Sequence, residues 1–212
     1  MIRLFAATCL ALLPMGTMAK EPLSEKFEVK GSVLIYDTEK LKGEIRDEDI
    51  DALKQVLNEH SGITELRLNS TGGSVYAGSE MAWIVMDYGL DTRVDGECIS
   101  ACIDLFLAGK RRRMTFGSKL GFHHRSWGPK AVQNYYREWR KRKDWATPFE
   151  FGAWIYGDTQ AEIYEHLTFM VSRGVDPGFA IKSMQAISSE EWYPSRLQLI
   201  AAGVLREEAP ED

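Results

Sequence analysis

Glu65-Leu66-Arg67-Leu68-Asn69-Ser70-Thr71-Gly72-Gly73 reads as a strand, Glu65 to Asn69, running into a tight turn at Thr71-Gly72-Gly73. A helix follows at once, Val75 to Tyr88, with Met81, Ile84 and Val85 facing inward and Gly89 just past its end. Paired glycines between a strand and a helix let the backbone approach a ligand closely. They also leave amides free at a helix N-terminus, where negative charge is favoured. An ordinary strand-to-helix turn would use the same residues, so this stretch decides architecture before it decides chemistry.

Working outward, the β-branched alternation of Phe27 to Tyr36 predicts a strand, and Asp47 to His60 an amphipathic helix carrying Ile50, Leu53, Val56 and Leu57 on one face. Downstream, Thr92 to Val94 is a short strand and Gly96 turns the chain. Ser100 to Ala108 is a helix apolar on nearly every side, which places it in the middle of the molecule; Gly109 stops it. Arg113 to Phe116 and Leu120 to His123 are further strands. Strands separated by helices imply crossovers, hence an α/β fold with a largely parallel sheet. Gly128 to Gly157 breaks the pattern, Thr159 to Arg173 and Pro194 to Ala202 are helices, and Arg206 to Asp212 is an acidic, frayed tail.

The 212 residues, 44% hydrophobic and 27% charged, suit one globular domain with a real core. The net charge of -5 argues against a general nucleic-acid binder. Arg3, the apolar run Leu4 to Leu13, and then Pro14, Gly16, Thr17 and Ala19 have the order of a secretory signal peptide, residues 1–19. The domain expected after it spans residues 20–205 and is periplasmic or secreted. Cleavage removes Cys9 and leaves Cys98 and Cys102 in an oxidising compartment, four residues apart, which invites a disulfide. A regular helix holds such a pair too far apart, so Cys98 must lie off the helix, in the turn before Ser100. Two cysteines supply too few ligands to predict a metal site, and no cofactor is indicated.

Two further stretches carry chemistry. In Gly96-Glu97-Cys98-Ile99-Ser100-Ala101-Cys102, a serine between a strand and an apolar helix has the logic of a nucleophile elbow, with a helix N-terminus to favour developing negative charge. Serine is equally a favoured N-cap residue. In Gly121-Phe122-His123-His124, a histidine ending a strand suits a general base.

The order and spacing of these motifs resemble the ClpP peptidases within the ClpP/crotonase superfamily. The resemblance runs over Asn69-Ser70-Thr71-Gly72-Gly73 with Gly78, then Ser100 and Ala108-Gly109, then Leu120-Gly121-Phe122-His123. A weaker echo follows at Ile187 to Glu191 and Ala202-Gly203-Val204. Thr71 stands where the family has proline. The resemblance implies a fold of repeated β-β-α units with surrounding helices. It implies Ser100 as nucleophile, His123 as base, and the Gly73 and Ala101 amides as oxyanion hole. It also implies a peptide or protein substrate and a homo-oligomer. The position of the family's triad aspartate falls on Ser183 or Met184; the nearest upstream acid is Asp176.

The 128–157 insert departs from the family. From Lys110 to Lys143 there are twelve basic residues and one acid, Glu138, with tyrosines and tryptophans interleaved. That composition suits an acidic partner, an anionic surface or a neighbouring subunit. Two functions follow as expectations: an exported serine hydrolase of weak or narrow peptidase activity, or a non-catalytic module that binds a partner through residues 128–157.

Overall fold

A computed structural model describes residues 24–187 and 189–207. The segment read as a signal peptide lies outside them, as do residues 208–212 of the tail. The fold is α/β. Strands β1 (Phe27–Lys30), β2 (Val33–Asp37), β3 (Glu65–Ser70), β4 (Asp91–Ile99) and β5 (Arg112–Met114) lie side by side in chain order, and β6 (Lys119–Gly121) also pairs with β4. Among the strand pairs of the described residues, β1–β2 is antiparallel and the other four are parallel. Helices α1 (Glu48–Glu59), α2 (Val75–Asp87) and α3 (Cys102–Ala108) make the crossovers and pack in sequence against one another. Leu34, Tyr36, Leu66, Leu68 and Val94 on one sheet face meet Leu53, Val56, Met81, Val85 and Phe106 from these helices to form the core.

Several elements differ from the sequence reading. Phe27 to Tyr36 is two strands, because Gly31 takes a left-handed conformation (φ 62°) in a two-residue turn that pairs Lys30 with Val33. The strand read as Thr92 to Val94 runs nine residues, Asp91 to Ile99, and Gly96 bends it rather than ending it. Its first half pairs with β5 and its second half with β6. At the bend the register with β3 shifts, and the Asn69 side chain fills the gap by accepting from the Glu97 amide (3.0 Å). A Cβ at Gly96 would collide with that amide group.

The insert is helical. Its α4 (Pro129–Trp139) leads into α5 (Pro148–Ser172), 25 residues long, which starts well before Thr159. Thr147 caps α5 and Glu150 reaches back to the Ala146 amide, and this start carries the helix through Gly152 and Gly157, whose cost of about 1 kcal/mol each is bearable. Trp145, Phe151, Trp154 and Tyr135 pack on one another at centroid distances of 4.9–6.4 Å, a small aromatic core of its own. Arg137 and Arg140 to Lys143 are exposed around it, and Arg142 and Lys143 lie over Trp139 and Trp154. Helix α6 (Pro177–Ser183), absent from the sequence reading, is capped by Asp176; α7 (Arg196–Ala201) carries a capping box at Ser195 and Gln198. Among the described residues no helix is long and apolar enough to cross a membrane.

Arg206 and Glu207, read as the start of a frayed tail, are tied to the fold. Arg206 exchanges backbone hydrogen bonds with Arg112, and Glu207 pairs with Arg196. Arg112 itself is fully buried and meets only carbonyls. Its Nε donates to Val204, Nη1 to Leu107 and Arg173, and Nη2 to Gly203, at 2.6–3.1 Å. These carbonyls lie in the last turn of α3 and just past α5 and α7, where helix ends carry partial negative charge. Burial, with repulsion from Arg206 and Arg173, pushes the guanidinium down to about 9.

Candidate active site

The parallel pairing of β4 with β6 sets Ile99 opposite Gly121. Ser100 and His123 therefore leave the sheet at the same carboxyl end of adjacent strands, the usual place for ligand binding in open α/β sheets. The Ser100 amide still bonds the Gly121 carbonyl (3.2 Å).

Ser100 is not the N-cap of α3. That position is Ala101, and it makes no side-chain cap. Ser100 instead sits at φ 56°, left-handed and unusual for a serine, in the turn between β4 and α3. The Cys98–Cys102 disulfide spans the same turn, from the strand to the first residue of the helix, so Cys98 does lie off the helix. Among the described residues the Ser100 hydroxyl has no hydrogen-bond partner, His123 included.

The glycine turn packs against this elbow. Gly72 (φ 99°) and Gly73 (φ 145°) both lie outside the range of other L-residues. A Cβ on Gly72 would come within 2.7 Å of the Ile99 carbonyl and 2.8 Å of Ser100 Cβ, and one on Gly73 would strike the Ile45 backbone. Gly78 lets α2 approach the Ala101 carbonyl in the same way. The rest of the motif holds the turn. Ser70 accepts from Thr38 and from the Gly72 amide, and the Thr71 amide and hydroxyl bind Glu39. Neither the Gly73 nor the Ala101 amide donates to any group among the described residues, although Ala101 is buried.

His123 is clamped on both sides. Phe122 exchanges two backbone hydrogen bonds with Trp192, and the His124 amide donates to the Ala186 carbonyl. Phe122 also packs on Phe179 of α6 and on Trp192. The ring Nδ1 lies 2.8 Å from the His124 carbonyl. A carbonyl only accepts, so in the neutral ring Nδ1 carries the proton and Nε2 the lone pair. None of the three residues weighed as third triad member serves this ring. Asp176 accepts from the Phe179 amide, Ser183 donates to the Ala180 carbonyl, and Met184 ends α6.

The sequence reading missed an ionic cluster beside this site. Asp104, on the apolar helix α3, is buried; its Oδ2 pairs with Arg125 at 2.6 Å, and Arg125 also reaches Glu162 (3.1 Å). His166 Nδ1 is 3.0 Å from Arg125 Nη2. Burial raises the Asp104 carboxyl, but His166, Arg125 and Ser79 more than offset it and hold it below the usual carboxylate range. The available signal was one acid in an otherwise apolar helix.

No family model matches the chain, and no curated protein does. Its fold is that of the ClpP type. A solved structure of a mutant ClpP1 from Listeria monocytogenes superposes with a TM-score of 0.54 at 17% identity, covering 82% of this chain and 89% of that one. At that identity the likeness concerns the fold.

Proposed function

We propose that this protein is a serine hydrolase acting on peptides, with Ser100 as nucleophile and His123 as base. The observation that carries the reading is the pair of unspent amides, Gly73 and Ala101, flanking a serine held in a left-handed turn. Ser100 Oγ attacks the scissile carbonyl as His123 Nε2 takes its proton, and the oxyanion receives the two amides. Collapse breaks the C–N bond, and Nε2–H protonates the leaving amine. Water then attacks the acyl ester, giving its proton to Nε2, and Ser100 leaves with that proton.

The His124 carbonyl holds the tautomer that a carboxylate holds in a full triad. A neutral acceptor stabilises the imidazolium less, by about 1.5–3 kcal/mol, so roughly ten- to more than a hundredfold in rate is forgone. Activated esters, whose leaving groups need little protonation, are therefore hydrolysed better than peptides. The test is labelling by a fluorophosphonate probe together with nitrophenyl-ester turnover, each compared with Ser100→Ala. Activity in both that vanishes in the variant is expected. Efficient casein degradation would show that another acid assists His123, and absence of both signals would leave the second reading.

That reading is a partner-binding module. It draws on the exposed run Arg140 to Lys143, which has no acidic partner among the described residues and projects from a self-packed aromatic core. On either reading we propose an exported protein that self-associates.

A further inference from the structure

A groove of about 650 Å³ begins at Gly73 and runs along α2 beneath α5. It continues into a pocket of about 320 Å³, since both are lined by Ser79, Trp83, Arg125 and Glu165. The charges along it are unbalanced. Glu80, Asp158, Glu162 and Glu165 border the groove and Asp104 lines the inner pocket, against one permanent cation, Arg125. Arg125 is itself engaged by Asp104 and Glu162. Glu80, Asp158 and Glu165 have no ion-pair partner among the described residues.

An independent observation lies at the inner end. Asp104 is 2% exposed, and its Oδ1 is buried without a hydrogen-bond partner among the described residues. His166 Nδ1 is 3.2 Å from that oxygen but also 3.0 Å from Arg125 Nη2. Nδ1 thus sits between the guanidinium and the carboxylate, and among the described residues Oδ1 is met by nearby charge without a hydrogen bond. A buried carboxylate oxygen left unserved costs free energy and calls for a donor. The walls suit a long cationic side chain. Tyr76 and Trp83, 61% and 53% exposed, line the groove, and Ala82 and Phe169 line the pocket.

We propose that this groove takes a lysine or arginine side chain of the substrate peptide, with its methylenes against Trp83 and Phe169 and its charge toward Asp104 and Glu165. The proposal rests on the hydrolase reading for its placement relative to the scissile bond. Ser79 lies six residues beyond Gly73, about 9 Å along the helix, and an extended peptide advances about 3.3 Å per residue. The favoured basic residue is therefore two or three positions from the bond cleaved.

Binding is measured on the full chain carrying Ser100→Ala, so that turnover plays no part. The probes are two acetylated, amidated alanine–leucine hexapeptides that differ in a single residue, arginine or its neutral isostere citrulline. We expect the arginine peptide to bind at least tenfold tighter at low salt. That advantage should shrink several-fold in Glu80→Gln/Glu165→Gln, whose exposed or half-buried carboxylates leave the core untouched, and further in Asp104→Asn. Equal affinity for the two peptides, or an advantage that both variants retain, overturns the proposal. Fluorophosphonate labelling of the parental chain separates the two readings. Labelling with equal peptide affinities removes the groove assignment alone, and arginine preference without labelling removes the hydrolase reading alone.

Discussion

Arg112 and Ser100 sit at the two ends of the same parallel strands and treat backbone polar groups in opposite ways. At Arg112, helix-end carbonyls that the helices cannot serve are collected by one buried guanidinium, whose three nitrogens make four hydrogen bonds. At Ser100, two amides and a hydroxyl remain unused among the described residues, and glycines hold the backbone where it would otherwise not go. The first arrangement lowers free energy. The second forgoes stabilisation, because buried polar groups without partners are costly. One end of the strands thus satisfies its backbone carbonyls, and the other leaves amides open.

The sharpest test of the contrast is Ser100→Ala. Ester hydrolysis should fall by about 10³-fold or more while the melting temperature stays within a few degrees, since the hydroxyl supports nothing in the fold. Arg112→Met should do the reverse. Stranding the Val204 and Gly203 carbonyls, with Leu107 and Arg173 each losing one of two donors, costs about 3 kcal/mol or more, and the melting temperature should fall by about 10 °C, with ester turnover per folded molecule preserved. Gly73→Ala probes the cost of the open turn. The methyl group strikes the Ile45 backbone, the amide shifts, and the rate should drop about 10²-fold with far-UV circular dichroism unchanged.

Two smaller effects refine the picture. Reducing the Cys98–Cys102 bridge, which closes a short loop, should lower stability by about 2 kcal/mol and loosen the Ser100 elbow, read as slower probe labelling after reduction. The Asp104 cluster should respond to acid. A carboxyl held below its unfolded value contributes stability that is complete above the ordinary aspartate pKa of about 3.9 and is lost as pH falls through the folded value. Acid unfolding of Asp104→Asn should lack that component. An unchanged acid limb would show that the cluster's ion pairs are energetically neutral.

Much of the site was legible because its parts are local. Gly72 and Gly73 announce a backbone that other residues cannot adopt, and the apolar run after Ser100 announces a buried helix behind a strand. Cysteines four apart flanking a serine announce a bridge with one partner off the helix. Elements with two-sided signals were misjudged. Gly96 looked like a turn because its bend is stabilised from another strand, by Asn69, and that contact has no trace in the local sequence. The helix read from Thr159 starts at Pro148, because the caps and packing that carry α5 through Gly152 and Gly157 lie outside the local windows of those glycines.

The sequence by itself determined the alternation of strands and helices, the inward faces, and the strand-end positions of Ser100 and His123, because these follow from periodicity and from backbone preferences of a few residues. Only the tertiary structure decided which groups are satisfied. Hydrogen-bond satisfaction depends on how side chains settle in the fold: the His124 carbonyl beneath the imidazole, the cap that occupies Asp176, and the cluster in which Asp104 Oδ1 makes no hydrogen bond among the described residues. Those pairings set the tautomer and the charge of the groove.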